Sequence, residues 1–224
     1  MKVLLLGATG LVGQSCLHYL LHRPEVHEVV APTRRSLQVR DRTLHNVLID
    51  FDRLDEYPEL FEVDAILCCL GTTIKQAGSR RNFEKVDYQY CLEAAELGRA
   101  QSVRAFYLVS AMGSSERSLV FYSRVKGKLE SHLKSLEYPL LSIYHPSLLL
   151  GDRDQHRLGE SMAARVMPVL NPMLVGSWKA YRAIEGDTVA RAMVNECVAN
   201  RSACPITPEV NLYSYDQIVK LATE

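Results

Sequence analysis

The sequence lacks an excess of charge of either sign: 26 lysines and arginines stand against 26 aspartates and glutamates in 224 residues. Nucleic acid and anionic membrane surfaces both require a basic excess, so neither is expected as the main partner. No run approaches the about 18 consecutive apolar residues of a bilayer span, and no membrane crossing is expected. The opening Met1-Lys2-Val3-Leu4-Leu5-Leu6-Gly7 has too short an apolar stretch for a secretory leader and reads as a buried strand. Metal-type cysteine spacing is missing as well. The six cysteines fall at 16, 68, 69, 91, 197 and 204, with no Cys-x-x-Cys pair. No metal site and no disulfide are therefore expected. Cys68 and Cys69 lie in an apolar run, where neighbours point to opposite faces of a strand. Packed, reduced thiols in a cytoplasmic protein are the expectation.

What is present suits one globular domain. Hydrophobic residues make up 47% and charged residues 23% of the chain, and a chain of this size buries roughly 70% of its unfolded surface. Short apolar runs alternate with helical patterns. Strands are expected at Val3–Leu6, Glu28–Pro32, Asn46–Asp50, Ala65–Leu70, Ala105–Val109 and Leu140–Tyr144. Helices are expected at Leu11–His22, Tyr88–Ala100 and Leu119–Leu136. Nearly continuous apolar strands separated by helices indicate a parallel sheet covered on both faces. With right-handed crossovers, the fold class is α/β, a Rossmann-type doubly wound parallel sheet. After Gly151 the rhythm breaks at Met167-Pro168 and Asn171-Pro172. A helix at Thr188–Ala199, a strand at Val210–Tyr213 and a last short helix follow. Residues 151–224 are expected to add a small substrate-side lobe to a single domain spanning 1–224.

Gly7-Ala8-Thr9-Gly10-Leu11-Val12-Gly13 joins the first strand to the first helix. The first glycine permits the tight turn, the second lets backbone approach a pyrophosphate, and the third lets helix and strand pack closely. The helix N-terminus adds free N–H groups and a positive dipole end. A nicotinamide dinucleotide is the expected ligand. NAD-binding members of this fold usually place an acid after strand two, whereas this chain reads Thr33-Arg34-Arg35. Guanidinium groups grip a 2′-phosphate that an acid would repel, so NADP(H) is the expected cofactor. Asp50 and Phe51 end strand three, where an adenine would lie. Gly71 and the hydroxyls of Thr72 and Thr73 stand at the carboxyl end of strand four.

Strand five ends at Ser110, and Tyr122 and Lys126 share one face of the next helix four residues apart. An unperturbed phenol, with a pKa of about 10, is a poor acid–base group at neutral pH, and a neighbouring ammonium favours its ionised form. Tyr122 is the expected acid–base group, Lys126 its tuner, and Ser110 the holder of the substrate oxygen. Together, Gly7–Gly13, Arg34-Arg35, Ser110 and Tyr122-x-x-x-Lys126 resemble the short-chain dehydrogenase/reductase superfamily. Cys68-Cys69-Leu70-Gly71-Thr72-Thr73, Val86-Asp87 and Pro146-Ser147-Leu148-Leu149-Leu150-Gly151 bring the chain nearer to its atypical branch of Tat-interacting-protein-like oxidoreductases. The likeness runs to about residue 160.

The resemblance implies NADP(H) contacts from Gly7, Thr9, Gly10, Leu11, Val12, Gly13, Arg34 and Arg35. It also implies contacts from Gly71, Thr72, Tyr122, Lys126 and the turn His145-Pro146-Ser147-Leu148. In that turn this chain departs from the family's usual Arg-Pro-Gly. Two readings stay open. One is an oxidoreductase acting on a small carbonyl or alcohol substrate. The other is a regulatory protein that binds NADP(H) and a protein partner and turns nothing over. The apolar helix Tyr88–Ala100 is a candidate homodimer face.

Overall fold

The computed structural model describes residues 1–151, 182–202, 205 and 207–224. Seven parallel strands form one sheet: β1 (Lys2–Leu6), β2 (Glu28–Thr33), β3 (Leu44–Leu48), β4 (Ala65–Cys68), β5 (Ala105–Val109), β6 (Leu140–Tyr144) and a late edge strand. Beside β6 comes a two-stranded annex of β7 (Leu149–Leu150) and β8 (Ile184–Glu185), and the late edge strand is β9 (Glu209–Tyr213). The order β3-β2-β1-β4-β5-β6-β9 reverses direction between β1 and β4. Open α/β sheets bind ligands in the crevice at such a reversal.

Alternation along each strand divides the core. Val3, Leu5, Val29, Leu67, Tyr107 and Tyr144 face α1 (Leu11–Leu21) and two later helices, α6 (Gly186–Ala199) and α7 (Tyr215–Thr223). Leu4, Leu6, Val30, Ile66, Phe106 and Ile143 face α4 (Tyr90–Ala100) and α5 (Phe121–Ser135). Between β4 and α4 run two short helices, α2 (Ile74–Ala77) and α3 (Arg80–Glu84), and a π-helical stretch at Lys85–Gln89. Each fully buried large side chain contributes about 1.5–3 kcal/mol relative to exposure, so these two layers carry most of the stability.

The expected strands and helices are present, with instructive shifts. The third strand begins two residues earlier than expected, because its alternating half-polar Leu44-His45-Asn46-Val47-Leu48 is an edge pattern. Asp50 instead caps a 3₁₀ turn (Phe51–Glu56), its carboxylate accepting from the Asp52 N–H at 3.0 Å. Helix α5 begins at Phe121, two residues late. The Val120 N–H bonds to Ser118 Oγ, and Arg124 Nη1 reaches the Ser118 carbonyl at 2.8 Å, holding the entry as a turn. The apolar residues Cys91, Ala94, Ala95 and Gly98 of α4 are buried inside the chain. Of the lobe expected over 151–224, the described residues build α6, β9 and α7 into the main sheet. Residues 152–181, with the breaks at Met167-Pro168 and Asn171-Pro172, and Cys204 lie outside the described residues.

Glu196 of α6 is a buried carboxylate. It accepts from Ser142 Oγ at 2.6 Å, from Tyr213 OH at 2.8 Å and from Tyr144 OH. Burial nevertheless raises its pKa, the three hydroxyl donors only partly compensating. A carboxyl whose folded pKa is raised resists ionisation that the unfolded chain undergoes. Stability should therefore fall as pH climbs from about 4.3 through the folded value, then level off. Glu196→Gln should flatten that slope in urea titrations run across the acidic range; an unchanged slope would contradict it.

Candidate functional site

The glycine turn is built as the fold requires. Gly7 adopts φ +83°, and a Cβ there would stand 2.6 Å from the Cys69 carbonyl oxygen, so the turn lies directly on the loop after β4. A Cβ on Gly13 would fall 2.0 Å from the Gly7 carbonyl oxygen, which fixes how closely α1 approaches β1. Gly10 is the N-cap of α1 and is exposed; no side chain caps the helix and no acid occupies its first turn. These open amides and the dipole end suit a pyrophosphate. Thr9 is exposed beside them, Leu11 is half-buried, and the Val12 side chain turns into the core.

Arg34 and Arg35 are exposed just beyond β2, and among the described residues neither guanidinium has a carboxylate partner. Their loop is shaped by Asn46, which sequence reasoning missed. Its amide donates to the Ala31 carbonyl at 2.7 Å and to Thr33 Oγ1 at 2.8 Å, and its oxygen accepts from the Leu37 N–H at 2.9 Å. Phe51 is buried in the core, its ring 5.6 Å from that of Tyr90.

Tyr122, Lys126 and Glu130 recur every fourth residue on one face of α5. Lys126 is 3% exposed, and its ammonium lies 2.9 Å from Asp87 Oδ1, itself 1% exposed. The other Asp87 oxygen accepts the Thr72 N–H at 2.8 Å, so one carboxylate ties α5 to the loop after β4. The π-helical stretch at Lys85–Gln89, whose one buried residue is Asp87, carries this carboxylate inward. Such bulges recur at functional sites. Burial alone would lower the Lys126 pKa, but the Asp87 carboxylate, with smaller help from Tyr122 and Cys91, carries it well above the ordinary lysine range. The Asp87 carboxylate therefore favours the charged form of Lys126. The Tyr122 ring rests on Phe83 at 5.5 Å.

Ser110 is buried, and its hydroxyl donates to Glu130 Oε1 rather than standing free for a ligand; Ser114 Oγ is 3.2 Å away. The same Glu130 oxygen meets His145 Nε2 at 2.9 Å. In the turn after β6, Pro146 is buried and its carbonyl accepts from the Met112 N–H at 2.9 Å. Ser147 Oγ donates to the Arg182 carbonyl, and the Leu148 carbonyl accepts from the Ile184 N–H at 2.9 Å. The structure thus gathers Gly71, Thr72 and Lys126 around Asp87, and Ser110 and His145 around Glu130. Asp87 and Glu130 are the residues missed. Continuing the four-residue spacing of Tyr122 and Lys126 would have reached Glu130.

The NAD dependent epimerase/dehydratase family model matches residues 3–211. Protein HTATIP2 of Rattus norvegicus is 36% identical over 202 residues, 88% of this chain and 81% of its own. That relative bears out the likeness to Tat-interacting-protein-like oxidoreductases. Protein FMP52, mitochondrial, of Meyerozyma guilliermondii is 31% identical over 229 residues, covering 100% of this chain and 96% of its own. Among solved structures, MoeE5 in complex with UDP-glucose and NAD superposes with a TM-score of 0.69 at 14% identity, covering 100% of this chain and 81% of that one. This last likeness bears out the Rossmann-type fold. The cytoplasmic location expected from the reduced cysteines is corrected by the fungal relatives, which carry a mitochondrial label in their names. The absence of disulfide spacing marks no single reducing compartment and could not separate the two. Among the described residues no helix is long and apolar enough to cross a membrane, and no cluster of three or more metal-ligating side chains occurs.

Proposed function

The chain belongs to the NAD dependent epimerase/dehydratase family, and from that membership we propose that it is an NADP(H)-dependent oxidoreductase acting on a small carbonyl or alcohol. The observation that carries the reading is the pairing of an uncapped glycine turn with two exposed arginines just beyond β2, without a carboxylate partner among the described residues, and no acid in Ala31-Pro32-Thr33-Arg34-Arg35. The cofactor supplies the hydride when bound. Gly7–Gly13 would hold its pyrophosphate, Arg34 and Arg35 its 2′-phosphate, and Lys126, Gly71, Thr72 and the turn 145–148 its nicotinamide end. Asp50 and Phe51 border the adenine end, the former through its turn backbone. Tyr122 moves the proton at the substrate oxygen through its phenol. Ser110, with its proton given to Glu130, can only accept a hydrogen bond, as from the hydroxyl of an alcohol. Residues 151–224 frame the substrate, and the setting is mitochondrial, as in the names of the fungal relatives.

A second reading draws on two contacts. The Ser110 hydroxyl is committed to Glu130 and the Lys126 ammonium to Asp87, an arrangement equally suited to a protein that senses NADP(H) without turnover. One set of measurements separates them. Calorimetry should give tighter binding of NADPH than of NADH by about ten- to a hundredfold, lost in Arg34→Ala/Arg35→Ala. Following NADPH absorbance against a panel of aldehydes, ketones and quinones, Tyr122→Phe should lose about 10²–10⁴-fold in rate while binding NADPH as the parent does. Equal affinity for the two cofactors overturns the cofactor assignment. Undiminished turnover in Tyr122→Phe overturns the role of the phenol, and silence across the panel favours the sensor.

A further inference from the structure

Four of the cysteines form two pairs, one on each side of β4. Cys68 and its neighbour Cys91 on α4 lie in the layer under α4 and α5 and are fully buried. Cys69 turns to the other face and meets Cys16 of α1, sulfur to sulfur, at 3.8 Å. Cys16 is fully buried and also approaches the Ala190 carbonyl at 3.9 Å, whereas Cys69 is only half-buried. The Cys69 backbone bears the glycine turn: its N–H bonds to the Leu6 carbonyl at 2.9 Å, and its carbonyl is the atom a Gly7 Cβ would strike.

We propose that Cys16 and Cys69 are an oxidisable dithiol site, converted by hydrogen peroxide to a disulfide that clamps α1 to the loop after β4. Cys69, the less buried residue of the two, reacts first, although its thiol is itself enclosed. Its sulfur attacks one peroxide oxygen, giving Cys69 sulfenic acid and one water. The Cys16 sulfur then displaces hydroxide from that sulfenic acid, which leaves as a second water with the Cys16 proton. Two thiols lose two electrons and two protons, and one peroxide becomes two waters. The hydrogen bond with Cys16, and then burial, hold the Cys69 thiol well above its ordinary range. Little thiolate is present, so the reaction is slow compared with that of a dedicated peroxide-reducing enzyme.

Bond formation draws the sulfurs from 3.8 Å to about 2.05 Å. The glycine turn that leads into α1 has no slack, since Gly7 packs backbone to backbone on Cys69 and Gly13 packs on Gly7. The disulfide therefore distorts the cradle, and NADPH affinity falls by about tenfold or more. This second consequence rests on the NADP(H) reading above; the chemistry of the pair does not.

The test treats the full chain with hydrogen peroxide, blocks remaining thiols by alkylation, and maps cross-links by mass spectrometry of a non-reduced digest. The parent and Cys68→Ala should yield a peptide carrying Cys16 linked to the one carrying position 69, with two fewer free thiols. Cys16→Ala and Cys69→Ala should not. Dithiothreitol should restore both the thiols and NADPH binding. Cys16 remaining fully alkylatable in the peroxide-treated parent, or a link that survives in Cys69→Ala, overturns the proposal. A link that forms while NADPH affinity is unmoved overturns its coupling to the glycine turn. A reduced parent that binds NADPH no better than NADH sinks the cofactor reading alone.

Discussion

Gly13→Ala should cost about 3 kcal/mol or more of stability, lowering the melting temperature by about 6–12 °C, and should abolish NADPH binding. The added methyl would stand 2.0 Å from the Gly7 carbonyl oxygen and 2.7 Å from its carbon. Both are backbone atoms of a turn that is itself wedged against Cys69, so neither partner can rotate away as a side chain could. Relief requires α1 to lift from β1, which opens the layer holding Cys16, Leu17 and Leu20 and displaces the amides proposed to hold the pyrophosphate. Gly10→Ala is the control. Its Cβ would stand 3.3 Å from the same oxygen, and the residue is exposed. It should melt within a degree or two of the parent, a cost of about 0.5 kcal/mol, yet bind NADPH weakly. Thermal denaturation and calorimetry on both variants decide the matter. A Gly13→Ala protein that melts with the parent would show that the close approach of α1 is not required.

Asp87→Leu and Lys126→Met should each destabilise the protein by about 3–5 kcal/mol, because each leaves a buried charge without its partner. The double variant should recover most of that loss, since two apolar side chains of similar size replace a pair whose desolvation consumed much of its attraction. Asp87→Leu also leaves the part-buried Thr72 N–H without its acceptor, a further cost of about 0.5–1.5 kcal/mol. It should therefore be the worse of the two single changes. Urea unfolding of the parent, both singles and the double closes the cycle. Additive losses in the double would mean that the two groups do not sense each other. The functional outcome differs from the stability outcome. Even where the double variant folds well, it lacks the ammonium for the nicotinamide end, and NADPH affinity should not return.

The sheet was legible because buried parallel strands are written as continuous apolar runs: Val3–Leu6, Ala65–Cys68 and Ala105–Val109 leave little choice. The edge strand β3 was displaced because half of its residues face solvent. The glycine turn could be assigned residue by residue, since Gly7 and Gly13 answer steric demands that only glycine meets. The polar interior was harder to read. Asp87 sits in a π-helical stretch whose extra residue breaks the 3.6-residue period, so no face calculation brings it to Lys126. Ser110 was recognisable as a hydroxyl at the end of a strand. The direction of its proton depends on Glu130, twenty residues away and on another element. The pairing of Cys16 with Cys69 was invisible for the same reason, although the opposite orientations of Cys68 and Cys69 followed from strand geometry alone.

Gly151 and Gly186 both press on one side chain. A Cβ on either would strike Leu11, at 2.6 Å and 2.7 Å respectively, and β7 and β8 pair between the same two points. Positions 151 and 186 are therefore both tied to the first residue of α1. A change in the length of sequence between these two glycines leaves Leu11 as the shared anchor, so that sequence and the glycine turn can evolve on separate schedules.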